Sequence, residues 1–133
     1  MNGKKGLILG MANKFSIAYG IAESLKAQGA ELIFTAQTEY FQNKISDIAK
    51  EFGGHDVIVC DVIKDGEIEK VFSEIAEKVG PIDFIVHSIA FSDKNELTGK
   101  YYNTSRDNFL NAMNVSCFSF TEFGYCKFTH TYS

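Results

Sequence analysis

The sequence predicts a Rossmann-like α/β fold: a doubly wound parallel sheet, truncated to about four strands, in the order 3-2-1-4. Three observations carry this. Short apolar runs alternate with amphipathic stretches of three to four turns. The runs are apolar throughout rather than at every second position, as strands covered on both faces require. Glycines and the single proline punctuate the alternation.

The first run, "GLILG", is flanked by glycines, and Ile17, Ala18, Ile21, Ala22 and Leu25 then recur at helical spacing. "AELIFTA" reads as a second strand. Ile45, Ile48, Ala49 and Phe52 mark one face of a second helix that stops at Gly53-Gly54. "DVIVCDV" is a third strand, and Ile68, Val71, Phe72, Ile75 and Val79 line a third helix ended by Gly80-Pro81. "IDFIVHSIA" is the fourth strand, and a further helix is expected over roughly Arg106 to Glu122.

At 133 residues with 45% hydrophobic side chains, the chain can bury roughly two thirds of its unfolded surface, which suits one core. A net charge of −4 with scattered lysines leaves no footprint for nucleic acid or an anionic membrane. Two lysines precede only a four-residue apolar run, Leu7 to Gly10, too short for a signal-peptide core or a span, so a cytoplasmic protein is expected. Three cysteines, Cys60, Cys117 and Cys126, imply no disulfide framework. With His130, the last two lack any recognised metal spacing and read as incidental thiols.

In such a sheet, ligands sit outside the carboxyl ends of the strands, where the order reverses between the first and the fourth. The stretch "LGMANKFSIAYGIAESL" lies there. Gly10 permits a tight turn, and the helix beginning near Ser16 offers free amides and its positive dipole end to a pyrophosphate. Ser16 serves either as an ordinary helix cap or as a hydroxyl donor to phosphate. Gly20, inside the helix, is expected to permit close packing on the sheet. The loop lacks the G-x-G-x-x-G spacing.

"GMANKFSIAYGIAESLKAQGAELIFTAQ" resembles the opening of the bacterial enoyl-acyl-carrier-protein reductases, a divergent branch of the short-chain dehydrogenase/reductase superfamily with a G-x-A-x-x-x-S-I-A-x-G loop. Gly10, Ala12, Ser16, Ile17 and Gly20 match it, and the likeness continues through "CDV", "DFIVHSIAF" and "NVSCFSF", covering roughly residues 4 to 122. The resemblance implies NADH as cofactor, with Gly10, Ala12, Ser16 and Ile17 around the pyrophosphate. Gln37 stands where many dinucleotide folds place an acid on the adenosine ribose. Asp61 would accept from the adenine amine while Val62 packs on its ring. Ser88, Ile89 and Ala90 would run beside the nicotinamide ribose, Ala90 replacing the commoner glycine. His87 reads as a hydrogen-bonded strand-end histidine, although an imidazole there invites the role of general base.

The implied reaction reduces the 2,3-double bond of an enoyl thioester on acyl carrier protein, a step of fatty acid biosynthesis. A tyrosine donating to the thioester oxygen and a lysine seven positions later lie downstream of residue 133 in the family, so no catalytic residue is assigned and an incomplete enzyme is expected. Tyr19 with Lys26, and Tyr40 with Lys44, have suggestive spacings but sit on the first and second helices, away from a substrate carbonyl. A catalytically silent dinucleotide-binding module, a decayed product and another short-chain dehydrogenase are the alternatives. The family's homotetramers would use the helix after Arg106, and the loop Ser92 to Ser105, rich in polar residues with two tyrosines, is given no assigned role beside the substrate.

Residues 1–122 therefore read as the N-terminal part of a dinucleotide-binding domain. Residues 123–133, "FGYCKFTHTYS" after Glu122, replace strong helix formers with glycine, aromatics and β-branched residues, the signature expected of a frameshift or truncation near residues 121 to 123. Truncation would leave the fourth strand with an open apolar edge, prone to aggregation.

Overall fold

The computed structural model describes residues 1–131. Four strands, β1 (Lys5–Leu9), β2 (Glu31–Ala36), β3 (Ile58–Val59) and β4 (Phe84–His87), form one parallel sheet in the order β3-β2-β1-β4. The order is the one the alternation predicts. Both faces are covered, so both sets of alternating side chains are apolar. Leu7, Leu9 and Ile33 enter one core, and Ile8, Leu32 and Phe34 the other.

The second core is closed by α1 (Ile17–Ala27) and α2 (Glu39–Lys50), through Ala18, Ala22, Ile45 and Ala49. Thr38 starts α2 by accepting from the Phe41 amide at 3.4 Å. The first core is closed by α3 (Glu67–Lys78), which buries Ile68, Val71, Phe72 and Ile75. A long helical rod completes it: α4 (Arg106–Met113), a π-wound segment (Asn114–Phe118) and α5 (Ser119–Thr131).

Glycine supplies the backbone where side chains have no room. A Cβ on Gly6 would lie 2.1 Å from the Phe84 ring, so β1 and β4 can interlock only without one. Gly20 is a correction to the sequence reading: it is exposed, and a Cβ there would meet nothing within 4 Å, so close helix–sheet packing is not its reason. β3 is two residues long, far shorter than the apolar run from Asp56 to Val62. After Val59 the chain leaves the ladder, its last link being the Cys60 amide on the Ala36 carbonyl at 2.8 Å.

Residues 123–131 continue the helix despite their composition, and the last two residues of the 123–133 stretch lie outside the described residues. Phe123 and Cys126, 0% and 2% exposed, pack against α3, and the Phe72 and Phe123 rings lie 6.0 Å apart. Burying one such phenyl ring contributes about 1.5–3 kcal/mol, more than the propensity deficit of Gly124, about 1 kcal/mol. β4 is the outer strand on its side of the sheet. No helix among the described residues is long and apolar enough to cross a membrane.

Candidate functional site

A cavity of about 440 Å³ opens at the carboxyl ends of the strands, where the sheet order reverses between β1 and β4. Gly10 ends β1 with φ +91°, a left-handed turn, and its Cα faces the Ser88 carbonyl so closely that a Cβ would stand 1.9 Å from that oxygen. β1 and β4 are thus drawn together just before they part, and the crevice begins at that point.

Eight of the ten residues singled out from the sequence line this one cavity: Gly10 and Ala12 from the first loop, Gln37 after β2, Asp61 and Val62 after β3, and Ser88, Ile89 and Ala90 after β4. Ser16 and Ile17 do not line it. Ile17 is 78% exposed at the start of α1. Ser16 occupies the cap position but makes no cap bond. Its hydroxyl oxygen accepts instead from the Ala12 and Asn13 amides at 3.0 and 3.1 Å, folding the loop back on itself. This is not the helix-cap bonding that one reading of Ser16 expected. With both contacts made as acceptor, the hydroxyl proton remains available to a ligand, next to the Ile17 and Ala18 amides that open α1, the Tyr19 amide already donating to the Ser16 carbonyl at 3.0 Å.

The electrostatics of the cavity are unusual for a phosphate site. Asp61 is the only charged residue among the described residues that line it. Its carboxylate accepts from the Ile63 amide at 3.4 Å and lies 3.9 Å from the Lys64 ammonium. Lys14, the cation of the first loop, is turned away and pairs with Glu51 at 3.3 Å, which raises its pKa. Any anion here must be held by amides, hydroxyls and a helix dipole. Cys60 contributes a buried wall, and burial, assisted by Glu67 and Asp61, pushes its thiol up to about 12, so it is neutral and inert.

His87 lies one residue outside the cavity wall. Its Nε2 is 2.7 Å from the Ser119 hydroxyl, and burial lowers its pKa. The hydrogen-bonded reading of this histidine matches its surroundings. The two tyrosine–lysine pairs lie elsewhere: Tyr19 stacks edge-on against Phe52, 5.5 Å between centroids, and Tyr40 is 70% exposed on α2. Cys117 is exposed while Cys126 is buried, and the His130 Nδ1 contacts the Cys126 carbonyl at 3.0 Å.

Asn111 and Val115 complete the wall from the helical rod, and sequence reasoning passed over both. Their four-residue spacing on one helix face was the available signal. Phe41 and Phe91, also on the wall, follow strand ends that were themselves recognised.

A doubly wound parallel sheet with its crevice at the switch point, a glycine turn leading into a helix N-terminus, and an acid after β3 together define a dinucleotide-binding α/β fold. Comparison with known proteins narrows the class. Residues 10–125 match the family model described as "Enoyl-(Acyl carrier protein) reductase", and the chain belongs to that family. It is 53% identical over 122 residues to an enoyl-[acyl-carrier-protein] reductase [NADH] of Rhizobium meliloti, covering 92% of this chain and 46% of the relative. Among solved structures, the Anaplasma phagocytophilum reductase in complex with NAD superposes with a TM-score of 0.92 at 43% identity, covering 98% of this chain and 50% of the other. FabI from Candidatus Liberibacter asiaticus superposes equally well, at 47% identity, over 97% of this chain and 50% of its own. The chain spans about half the length of the curated relatives it matches.

Proposed function

We propose that this chain binds NADH in the switch-point cavity and serves the NADH-dependent reduction of enoyl thioesters carried by acyl carrier protein. The observation that carries the reading is the convergence of Gly10, Ala12, Gln37, Asp61, Val62 and Ser88 on one crevice, each from the strand end where a dinucleotide fold uses it.

NADH, when bound, supplies the hydride for C3 of the enoyl group. The chain's own residues bind and orient. Asp61, held by the Ile63 amide, accepts from the adenine amine, and Val62 packs on the ring. The pyrophosphate lies over Gly10 and Ala12 and reaches past the cavity lining to the Ser16 hydroxyl, bonded to the Ala12 amide, and to the first amides of α1. Ser88, Ile89 and Ala90 flank the nicotinamide ribose. A wall without cations gives a 2′-phosphate no partner, which supports NADH over NADPH. No tyrosine or lysine lines the cavity among the described residues, so the tyrosine–lysine pair that the resemblance implies is not part of this wall.

An apolar stripe on the rod, Phe109, Leu110, Met113 and Phe120, each 44–58% exposed, supports homo-oligomerisation along this helix, and a cytoplasmic location goes with the proposed chemistry. Calorimetric titration tests the central reading. Saturable, one-to-one NADH binding with NADPH at least tenfold weaker is expected; no heat of binding up to millimolar NADH refutes it. Light scattering tests the oligomer: a monomer at every concentration refutes that part alone.

A further inference from the structure

Hydrogen bonds fasten the end of β4 and the segment after it to the helical rod, and three of them differ in depth. The Asn108 Oδ1 accepts from the Asp93 amide at 2.8 Å. The Ser116 hydroxyl accepts from the Phe91 amide at 3.1 Å. The third, between His87 and Ser119, is the deepest: Ser119 is 0% exposed, and the ring of Phe120 covers the imidazole edge-on at 5.5 Å. Ser119 also donates its hydroxyl proton to the Val115 carbonyl at 2.7 Å. A serine hydroxyl has one proton. If it goes to Val115, the imidazole Nε2 must be the donor toward Ser119, giving one polarised chain from Nε2–H through the hydroxyl to the carbonyl.

That carbonyl is a particular one. Val115 lies inside the π-wound segment Asn114–Phe118, where the regular i to i−4 ladder is interrupted, and its side chain forms cavity wall. His87 is itself followed directly by Ser88, Ile89 and Ala90 on the opposite wall. We infer that His87 is a positioning residue: through Ser119 and the Val115 carbonyl it sets the spacing between the β4 wall and the helical wall of the cavity. The imidazole does not reach the ligand and moves no proton to it. The inference rests on the dinucleotide reading for its effect on affinity, but its structural half stands independently of any ligand.

The test uses His87→Leu, Ser119→Ala, the double variant, and His87→Gln, whose amide nitrogen can replace Nε2 as donor. NADH affinity is expected to fall about fivefold to tenfold in each of the first two, the size of one lost buried hydrogen bond. The double variant should lose no more than either alone, because both cut the same chain, and His87→Gln should recover most of the affinity. Amide hydrogen exchange of the chain without ligand gives a second readout: faster exchange confined to residues 88–92 and 111–120, with β1 and β2 unchanged. Equal NADH affinity in wild type and both single variants overturns the inference, as does additive loss in the double variant or uniform acceleration of exchange across the sheet. If wild type itself binds no NADH, the proposed function fails, and local exchange alone then decides the role of His87.

Discussion

Replacing Gly10 with alanine tests the geometry of the crevice directly. Two costs add. The residue holds φ +91°, where an L side chain is strained by about 1–2 kcal/mol. The new methyl would also stand 1.9 Å from the Ser88 carbonyl oxygen and 2.5 Å from its carbon, whereas ordinary contact begins at 3.4 Å. The end of β4 would have to retreat by about 1.5 Å, loosening the Leu9–His87 register pair and the bond from the Ser88 amide to the Leu9 carbonyl, 3.2 Å long. Overpacking of this kind costs about 1–3 kcal/mol, so the total is about 2–5 kcal/mol against a domain stability of about 5–15 kcal/mol. For a chain of this size that lowers the melting temperature by about 7–18 °C. Thermal unfolding followed by circular dichroism, paired with NADH titration, measures both consequences. A variant melting within 3 °C of wild type with unchanged affinity would refute the close approach of β1 and β4 as the origin of the crevice.

Other outcomes follow from the same structure. Asp61→Asn keeps the shape but not the charge, and should weaken NADH binding about tenfold with little change in melting, as titration would show. A thiol reagent at pH 8 should modify Cys117 rapidly and reach Cys60 and Cys126 only in denaturant; prompt modification of all three native thiols would contradict their burial. Because the Cys60 thiol is raised when folded, the stability it lends is intact below the ordinary thiol pKa of about 8.5 and is lost as pH climbs toward about 12. Glu122 is also raised, first by burial and then by Glu69 and Asp65, so its ionised form is disfavoured in the fold. Its contribution is intact below the ordinary carboxyl pKa and is lost as pH rises. Glu122→Gln should therefore melt a degree or two higher than wild type at pH 7, and the difference should vanish near pH 3.

How far these features were legible in the sequence depended on whether local chemistry or distant contacts decided them. β1 and β2 were plain because every residue of "LIL" and "LIF" is buried, leaving no polar alternation to mislead. The cavity residues at strand ends were legible for a topological reason: once the order 3-2-1-4 is known, four strand ends must converge. Ser16 was not legible in detail, since whether a hydroxyl caps forward or accepts from the preceding loop depends on a turn no spacing rule encodes. The helix after Glu122 defied propensity because Phe123 and Cys126 find α3, a contact invisible to local composition. Val115 escaped notice for a similar reason: its place on the wall depends on a π-wound turn and on Ser119, fixed in turn by a histidine 32 residues earlier.

The cation-free wall has a kinetic corollary. Proteins that seize phosphates with lysine and arginine draw their ligands in from a distance, and added salt slows the capture. Here an anionic ligand approaches a protein of net charge −4 with one of its carboxylates in the cavity itself, and attraction begins only where amide dipoles come within hydrogen-bonding range. Ionic strength should then act with the opposite sign: salt hides the long-range repulsion, leaves the short-range grip untouched, and lets the dinucleotide arrive faster.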